Sequence, residues 1–239
     1  MNNNTVVYSN RVVAFIDILG FKNLVSNPTN QNKIFSLMQY LKSEKNRNYK
    51  TEYSLSDLGR EITIFSDSIV ISYDLSFKGQ IFYILLDIIH FQLDIANMGI
   101  LLRGGVSIGS LYHNKEIVFG PAMINAYNLE SKNAIYPRII LDSEIFNFVS
   151  YNPSLHYTPA EELEYILSLL KQDFDGFYFT DFLNQYTELD KPENIFILIN
   201  KLKNIIHNYL HNVKSPLEVK QKYIWLDGYI KSLKFCNTL

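Results

Sequence analysis

Over the first 142 residues, the spacing of apolar and polar positions is typical of strands in some segments and of helices in others. The order of these segments predicts the fold. Short β-branched apolar runs predict strands, whereas apolar residues at i, i+3, i+4 and i+7 predict a helix, as at Ile34, Leu37, Met38 and Leu41. Two apolar runs that meet around Ser66-Asp67-Ser68 predict a hairpin. The strands are predicted over residues 12–17, 61–74 (two strands), 100–111 and 137–141, and two further helices over 77–97 and 120–131.

This βαββαβ order, followed by further elements, is typical of a ferredoxin-like sheet. The expected fold class is therefore α+β, an α/β sandwich. Because crossover connections are right-handed, the topology places the end of the first strand beside the turn of the hairpin. We assign residues 1–239 to a single domain, with a core over about residues 11–142 and a mainly helical C-terminal elaboration over 143–239.

The elaboration is predicted from its capping signals and apolar runs. Thr158-Pro159-Ala160-Glu161 is a capping box, which predicts a helix up to residue 170. A strand is predicted over residues 176–181, and two further helices over 193–213 and 216–235.

Composition narrows the class of protein. The 239 residues are 47% hydrophobic and 19% charged with a formal net charge of −2, and no basic stripe indicates a nucleic-acid partner. Cys236 is the single cysteine, so no disulfide can form within the chain, which favours a reducing, cytoplasmic location. The start is polar, without the pattern of a signal peptide. Polar residues interrupt the apolar stretch 81–102, so we expect a core helix there and no membrane span.

Two carboxylates lie inside apolar, strand-forming runs: Asp17 in residues 15–21 and Asp67 in residues 64–70. An isolated buried carboxylate is costly, and two neighbouring ones raise each other's pKa. A divalent cation between them would remove both problems. The pair therefore predicts a metal site for Mg²⁺ or Mn²⁺, of the kind that handles phosphates.

Four motifs, taken together, resemble those of the class III nucleotidyl cyclases over roughly residues 12–138. Residues 15–21 match that family's Phe-x-Asp-Ile-x-Gly-Phe, and Phe65-Ser66-Asp67-Ser68 matches its metal-binding hairpin. Residues 103–109 match Arg-x-Gly-x-x-x-Gly, and residues 120–131 match a Gly-rich helix entry that ends in Leu-Glu-Ser.

The resemblance implies a reaction and a set of site residues. The ribose 3′-oxygen of a nucleoside triphosphate would attack the α-phosphate, releasing pyrophosphate and a 3′,5′-cyclic monophosphate. Asp17 and Asp67 would bridge two metal ions, with the Ile18 carbonyl as a third ligand. The turn Leu19-Gly20-Phe21 would hold the β- and γ-phosphates through backbone N–H groups. The family also implies a head-to-tail homodimer with the active sites at its interface.

The chain departs from the purine cyclases at four positions. Their transition-state Asn-x-x-x-Arg falls at Ile124 and Asn128, and their base-selecting Lys and Asp fall at Thr63 and Ile117. The variant motifs are more similar to those of the bacterial pyrimidine cyclases of the Pycsar antiviral system. This implies CTP or UTP as substrate, and cyclic CMP or cyclic UMP as an antiphage signal that a cyclic-nucleotide-sensing effector detects.

Several further polar residues have two interpretations each. Arg103 is either a structural partner of a carboxylate or a contact to base or phosphate. Asn125 and Asn128 either donate to ribose or phosphate or form the polar face of a helix. The roles of Lys132, Arg138 and Lys222 are open in the same way. We take Lys132 as nucleotide-binding, whereas Lys222 could reach a phosphate only if its helix covers the site. Lys22 is either a phosphate contact or a solvated helix residue.

His207 and His211 have metal-binding spacing, but surface placement is expected. Asp173, Asp175 and Asp181 are expected to be solvated loop residues.

Two rival functions stay open. One is a catalytically silent cyclase-like module that binds a nucleotide or only dimerises, which the missing Asn-x-x-x-Arg pair supports. The other is an enzyme similar to diguanylate cyclases or polymerase palms, which usually carries two adjacent acids at the hairpin, whereas Asp67 lies between two serines.

Overall fold

The structure, a computed structural model, describes residues 7–46, 59–151, 157–189, 191–233 and 235. Cys236 lies outside these residues. The described part of the chain has a mixed α+β architecture built on one eight-stranded sheet, which confirms the expected fold class. The strands are β1 (Ser9–Ile18), β2 (Glu61–Phe65), β3 (Ser68–Asp74), β4 (Leu102–His113), β5 (Val118–Phe119), β6 (Ile139–Leu141), β7 (Leu170–Gln172) and β8 (Tyr178–Thr180).

The sheet order is β2-β3-β1-β4-β6-β8-β7, with β5 paired to the far end of β4. Strand β1 lies in the centre, antiparallel to both β3 and β4, and β3 is antiparallel to β2. This order over β1–β4 is the ferredoxin-like arrangement expected from the sequence. It brings the end of β1 beside the β2–β3 turn, as the topology argument requires.

Helices cover both faces of the sheet. The helices are α1 (Phe21–Ser26), α2 (Gln31–Lys45), α3 (Gln80–Asn97), α4 (Pro121–Lys132), α5 (Glu144–Tyr151), α6 (Pro159–Ser168), α7 (Ile195–His211) and α8 (Leu217–Lys231). Helix α3 packs against β1, β3 and β4 on one face, and α4 packs against β1 and β4 on the other.

The alternation of β1 explains the two cores. Val12, Ala14 and Ile16 belong to the large core on the α3 face, whereas Val13 and Phe15 belong to a small cluster with Ala122 and Ala126 of α4. Asp17 follows the second series, so its side chain is on the α4 face of the sheet.

The C-terminal part is less purely helical than the sequence indicated. Strands β8 and β7 extend the same sheet beyond β6, through the pairs Ile140–Phe179 and Lys171–Phe179. Helix α6 has the predicted capping box but ends at Ser168, so β7 occupies the end of the predicted helix. The sequence analysis gave no bounds for α1 and did not predict α5 or β7. The single-domain assignment stays a prediction.

None of the helices in the described ranges combines the length and apolarity that crossing a bilayer requires.

Candidate active site

The two predicted carboxylates lie at the same end of neighbouring strands, where β1 ends and β3 begins. Asp17 is paired with Ser68 at the start of β3, and the Ile18 N–H donates to the Asp67 carbonyl at 3.0 Å. Asp67 itself lies in the two-residue turn that joins β2 to β3. The fold therefore brings Asp17 and Asp67 together from positions 50 residues apart in the sequence.

The turn that carries Asp67 has a strained backbone. Ser66 has a φ of 53°, in the left-handed region that residues other than Gly, Asn and Asp rarely adopt. A positive φ at the first central residue alone is the pattern of a type II′ hairpin turn, where Gly is preferred. Backbone strain of this kind clusters at functional turns, and here it lies directly before a predicted metal ligand.

Arg103 joins Asp17 to a third carboxylate. Its Nε donates to Asp17 Oδ2 at 3.1 Å, and its Nη2 lies 2.7 Å from Glu130 Oε1. The Asp17 and Arg103 side chains are 20% and 26% exposed, and that of Glu130 only 4%. Of the two interpretations of Arg103, the carboxylate partner is the one that the structure displays.

Glu130 is a site residue that the sequence analysis missed. It lies on α4 at the same spacing as two buried alanines, Ala122 and Ala126, which are fully buried against the sheet. The i, i+4, i+8 pattern was the available signal, because it places an acid on the buried face of the helix. A buried acid requires a cation, and Arg103 is that cation.

Burial dominates the electrostatics of this cluster. It raises the pKa of the Asp17 carboxyl, which the hydrogen bond and charge of Arg103 lower and the negative charge of Asp67 raises again. Burial also raises the pKa of Glu130, which the charge of Arg103 lowers and that of Asp17 raises. An additional positive charge at this point would therefore be stabilising.

The donor set fits a hard divalent cation. The described ranges contain no group of three or more His, Cys, Asp or Glu side chains placed to hold a metal. Mg²⁺ commonly uses one or two carboxylates and completes its shell with water and substrate phosphates. The carboxylates of Asp17 and Asp67, with nearby backbone carbonyl groups, match this kind of Mg²⁺ coordination. A cation bound there would compete with Arg103 for the Asp17 carboxylate.

The turn after β1 opens onto a cavity. Gly20 has φ 75° and ψ 21°, a left-handed conformation that lets the chain turn at once into α1. The cavity, about 360 Å³, lies between this turn and helices α7 and α8. We name it the α8 cavity and define it by Leu19, Gly20, Lys33, Tyr209, Lys222 and Tyr223 among its lining residues. Helix α8 thus covers this side of the site, the condition on which a role for Lys222 depended.

The predicted α4 residues lie on a helix that packs against β1 and β4. Gly105 allows α4 to approach β4 closely, because a Cβ there would lie 2.5 Å from the Ala126 carbonyl oxygen. Asn125 and Lys132 are exposed and Asn128 is half-buried. Within the described residues, no hydrogen bond or ion pair joins any of these three to Asp17 or Asp67.

The two expected base-selecting positions both form a hydrogen bond with Asn114, but neither is a free polar group. The Thr63 hydroxyl is buried, 2.9 Å from His113 Nε2 and 3.3 Å from the Asn114 carbonyl oxygen, to which it donates. Ile117 lies in the turn that begins at Asn114 and is 51% exposed. The assignment of Thr63 to nucleotide binding therefore meets a hydroxyl already engaged within the protein.

Several other candidates have structural roles. Arg138 is fully buried and forms ion pairs with Asp173 and Asp175, so these acids are not solvated loop residues as expected. Asp173 also accepts from Trp225 Nε1 at 2.6 Å.

Asp181 is buried too, accepting from the Tyr229 hydroxyl at 2.6 Å. His207, His211 and Lys22 are exposed.

No family model and no curated protein matches the sequence. Among matching solved structures is a crystal structure of the adenylyl cyclase CyaB from P. aeruginosa. It is 12% identical over 72% of this chain and 94% of its own length, with a TM-score of 0.46. Similarity at this level carries no conclusion about what the present chain does.

Proposed function

We propose that this protein is a metal-dependent nucleotidyl cyclase that converts a nucleoside triphosphate to its 3′,5′-cyclic monophosphate and pyrophosphate. The observation that carries the proposal is the meeting of Asp17 and Asp67 at adjacent strand ends of a ferredoxin-like sheet. The motifs that hold them resemble those of the class III cyclases, and a pair of half-buried carboxylates would be stabilised by a cation.

The chain's own residues would divide the work as follows. Asp17, Asp67 and the Ile18 carbonyl would hold the two metal ions, Mg²⁺ or Mn²⁺. Bound there, the ions would supply Lewis-acid stabilisation of the charge that develops during phosphoryl transfer. Arg103 and Glu130 would keep the Asp17 carboxylate in position, and the Leu19-Gly20-Phe21 turn would face the leaving phosphates.

A pyrimidine triphosphate, CTP or UTP, is the substrate that we propose. The positions that would select a purine hold a Thr already bound within the protein and an apolar Ile, so neither offers a free charged group to the base. The cyclic product would then act as an antiphage signal through a cyclic-nucleotide-sensing effector, as the resemblance implies.

A silent nucleotide-binding module is the second candidate. Arg103 compensates Asp17 in place of a metal, and α4 has Asn128 where an active purine cyclase has Arg. Both features favour binding without turnover.

Incubation with each of the four ribonucleoside triphosphates and Mn²⁺, followed by chromatography, separates the two candidates. We expect cyclic CMP or cyclic UMP. Asp67→Ala should abolish the product with little loss of thermal stability, because it removes a charge that repels Asp17. Glu164→Ala, an exposed acid on α6, is the matched control and should retain activity. If folded, dimeric protein gives no cyclic product with any triphosphate, the cyclase proposal is wrong and the silent module remains.

A further inference from the structure

The α8 cavity contains two lysines that form no ion pair with a carboxylate among the residues that the structure describes. Lys222 is half-buried, and within the described residues its ammonium group forms neither a hydrogen bond nor an ion pair. Lys33 is also half-buried, and its ammonium makes one long contact, 3.5 Å, to the Gly99 carbonyl oxygen. Both lysines line the same partly closed cavity, so an anion bound there would be attracted by two positive charges.

Lys222 also faces the carboxylate cluster. The charges of Arg103, Asp17, Glu218 and Glu130 all act on it, and burial, the largest effect, lowers its pKa. It therefore connects the α8 cavity electrostatically with the predicted metal site. Helix α4 contains no arginine, and its one lysine, Lys132, is exposed. The cations around Asp17 thus come from β4 and α8.

We propose that the α8 cavity binds the polyphosphate end of the nucleotide, with Lys222 and Lys33 as its cationic contacts. The inference rests on the proposed function, to which it adds the location of the pyrophosphate leaving group. Leu19 and Gly20 line the cavity and follow Asp17 directly in the chain. One triphosphate could therefore have its α-phosphate at the carboxylate pair and its terminal phosphates in the cavity.

The charges of the combined site favour this ligand. Asp17, Asp67, Glu130 and Glu218 carry four negative charges against the three positive charges of Arg103, Lys33 and Lys222, so the protein part has a charge of −1. Two divalent cations would bring the site to +3, which attracts a triphosphate anion. Apolar residues such as Ile205 and Val219 also line the cavity, and a low-dielectric wall strengthens an ammonium–phosphate contact.

Binding of inorganic tripolyphosphate with Mg²⁺, measured by calorimetry on the full chain, tests the inference without requiring turnover. We expect Lys222→Gln and Lys33→Gln each to weaken binding about tenfold. Lys222→Arg should retain most of the affinity, because it keeps the charge. Lys220→Gln is the matched control, since it removes a lysine two positions away on the same helix that is not a cavity residue; it should bind as the wild type does.

The outcomes separate this inference from the proposed function. If the wild type does not bind tripolyphosphate, or if Lys222→Gln binds as tightly as the wild type, the cavity assignment is wrong. Equal losses in Lys220→Gln and Lys222→Gln would also overturn it, because they would indicate diffuse surface attraction. Lysine-dependent binding without any cyclic product would leave the cavity assignment standing and overturn the cyclase. If Lys222→Gln forms cyclic product and its affinity for the triphosphate is unchanged, the cavity assignment is wrong and the cyclase proposal stands.

Discussion

At the scale of single residues, a chain of buried hydrogen bonds fixes the protonation of His113. Arg11 Nε donates to Ser72 Oγ at 2.8 Å, which leaves the Ser72 hydrogen to donate to His113 Nδ1 at 2.7 Å. His113 Nε2 then carries the proton and donates to Thr63 Oγ1, whose own hydrogen points to the Asn114 carbonyl oxygen. The network therefore requires neutral histidine. Burial, with the charge of Arg11, lowers the pKa of His113 from 6.5 to about 3.

This lowered pKa predicts a pH-dependent stability. Because the folded-state pKa lies below the unfolded value, the contribution is complete above about pH 6.5 and is lost as the pH falls toward 3. Between about pH 6.5 and about pH 5 the wild type should lose about 1.6 kcal/mol of unfolding free energy through this group. Urea titrations should show that loss reduced in His113→Gln and unchanged in His207→Gln, an exposed control. An unchanged slope in His113→Gln would mean that the imidazole is not held neutral.

The residue scale also shows why Asp17 and Asp67 could be predicted and their surroundings could not. An acid inside a β-branched run can be recognised from the sequence alone, because the run itself predicts a buried strand. Arg103 had two interpretations because its partner depends on the register of β1 against β4, which sets Asp17 opposite it. Lys222 depended on where α8 lies, and Lys33 went unnoticed, because the α8 cavity is formed by segments distant in the sequence.

Among the elements, the close approach of α4 to β4 positions one side of the candidate site. A Cβ on Gly105 would lie 2.5 Å from both the Ala126 carbonyl oxygen and the Leu129 Cβ, so the helix would have to move. Such a shift would displace Glu130 from Arg103, because Glu130 is on the same helical turn. Packing of one helix thus bears directly on the electrostatics of Asp17.

Gly105→Ala should therefore lower the unfolding free energy by about 1–3 kcal/mol, the usual result of overpacking. Gly228→Ala in α8 is the matched control, since a Cβ there meets nothing within 4 Å. Within a helix, alanine is favoured over glycine by about 0.5–1 kcal/mol, so the control should be slightly stabilised. Chemical denaturation measures both. Equal stability of the two variants would show that α4 adapts to the added methyl group.

Periodicity predicted the long elements and missed some of the short ones, such as α5 and β7. The apolar run of α3 and the hairpin of β2 and β3 are visible because each repeats its pattern several times. Strand β7 has three residues directly after α6, too few to show alternation, and it owes its conformation to pairing with β8. The extension of the sheet beyond β6 by β8 and β7 could not be predicted either, because these strands are too short to show a pattern.

At the scale of the whole molecule, we propose a second copy of the chain as partner, because apolar residues on and near α4 are exposed. Ile124 and Tyr127 of α4 are 60% and 50% exposed, and Phe65, at the end of β2 beside the Asp67 turn, is 45% exposed. Exposed apolar groups of this size are common at interfaces between proteins. Asn125 lies on the same exposed side of α4 as Ile124. A twofold homodimer could therefore place α4 of one protomer against the carboxylate pair of its partner.

Mixing inactive variants tests this arrangement. Asp67→Ala removes a predicted metal ligand. Asn128→Ala removes the α4 side chain that could donate to ribose or phosphate, so in a cyclase that uses this contact each variant alone should lose activity. In a random mixture half of the dimers pair the two variants, and each such dimer has one intact site, which should restore about one quarter of wild-type cyclase activity. Asp17→Ala mixed with Asp67→Ala is the control: both residues come from one protomer, so no intact site can form. Restored activity in the first mixture alone would place α4 and the carboxylates of a site on different chains, whereas none in either would place the site within one chain.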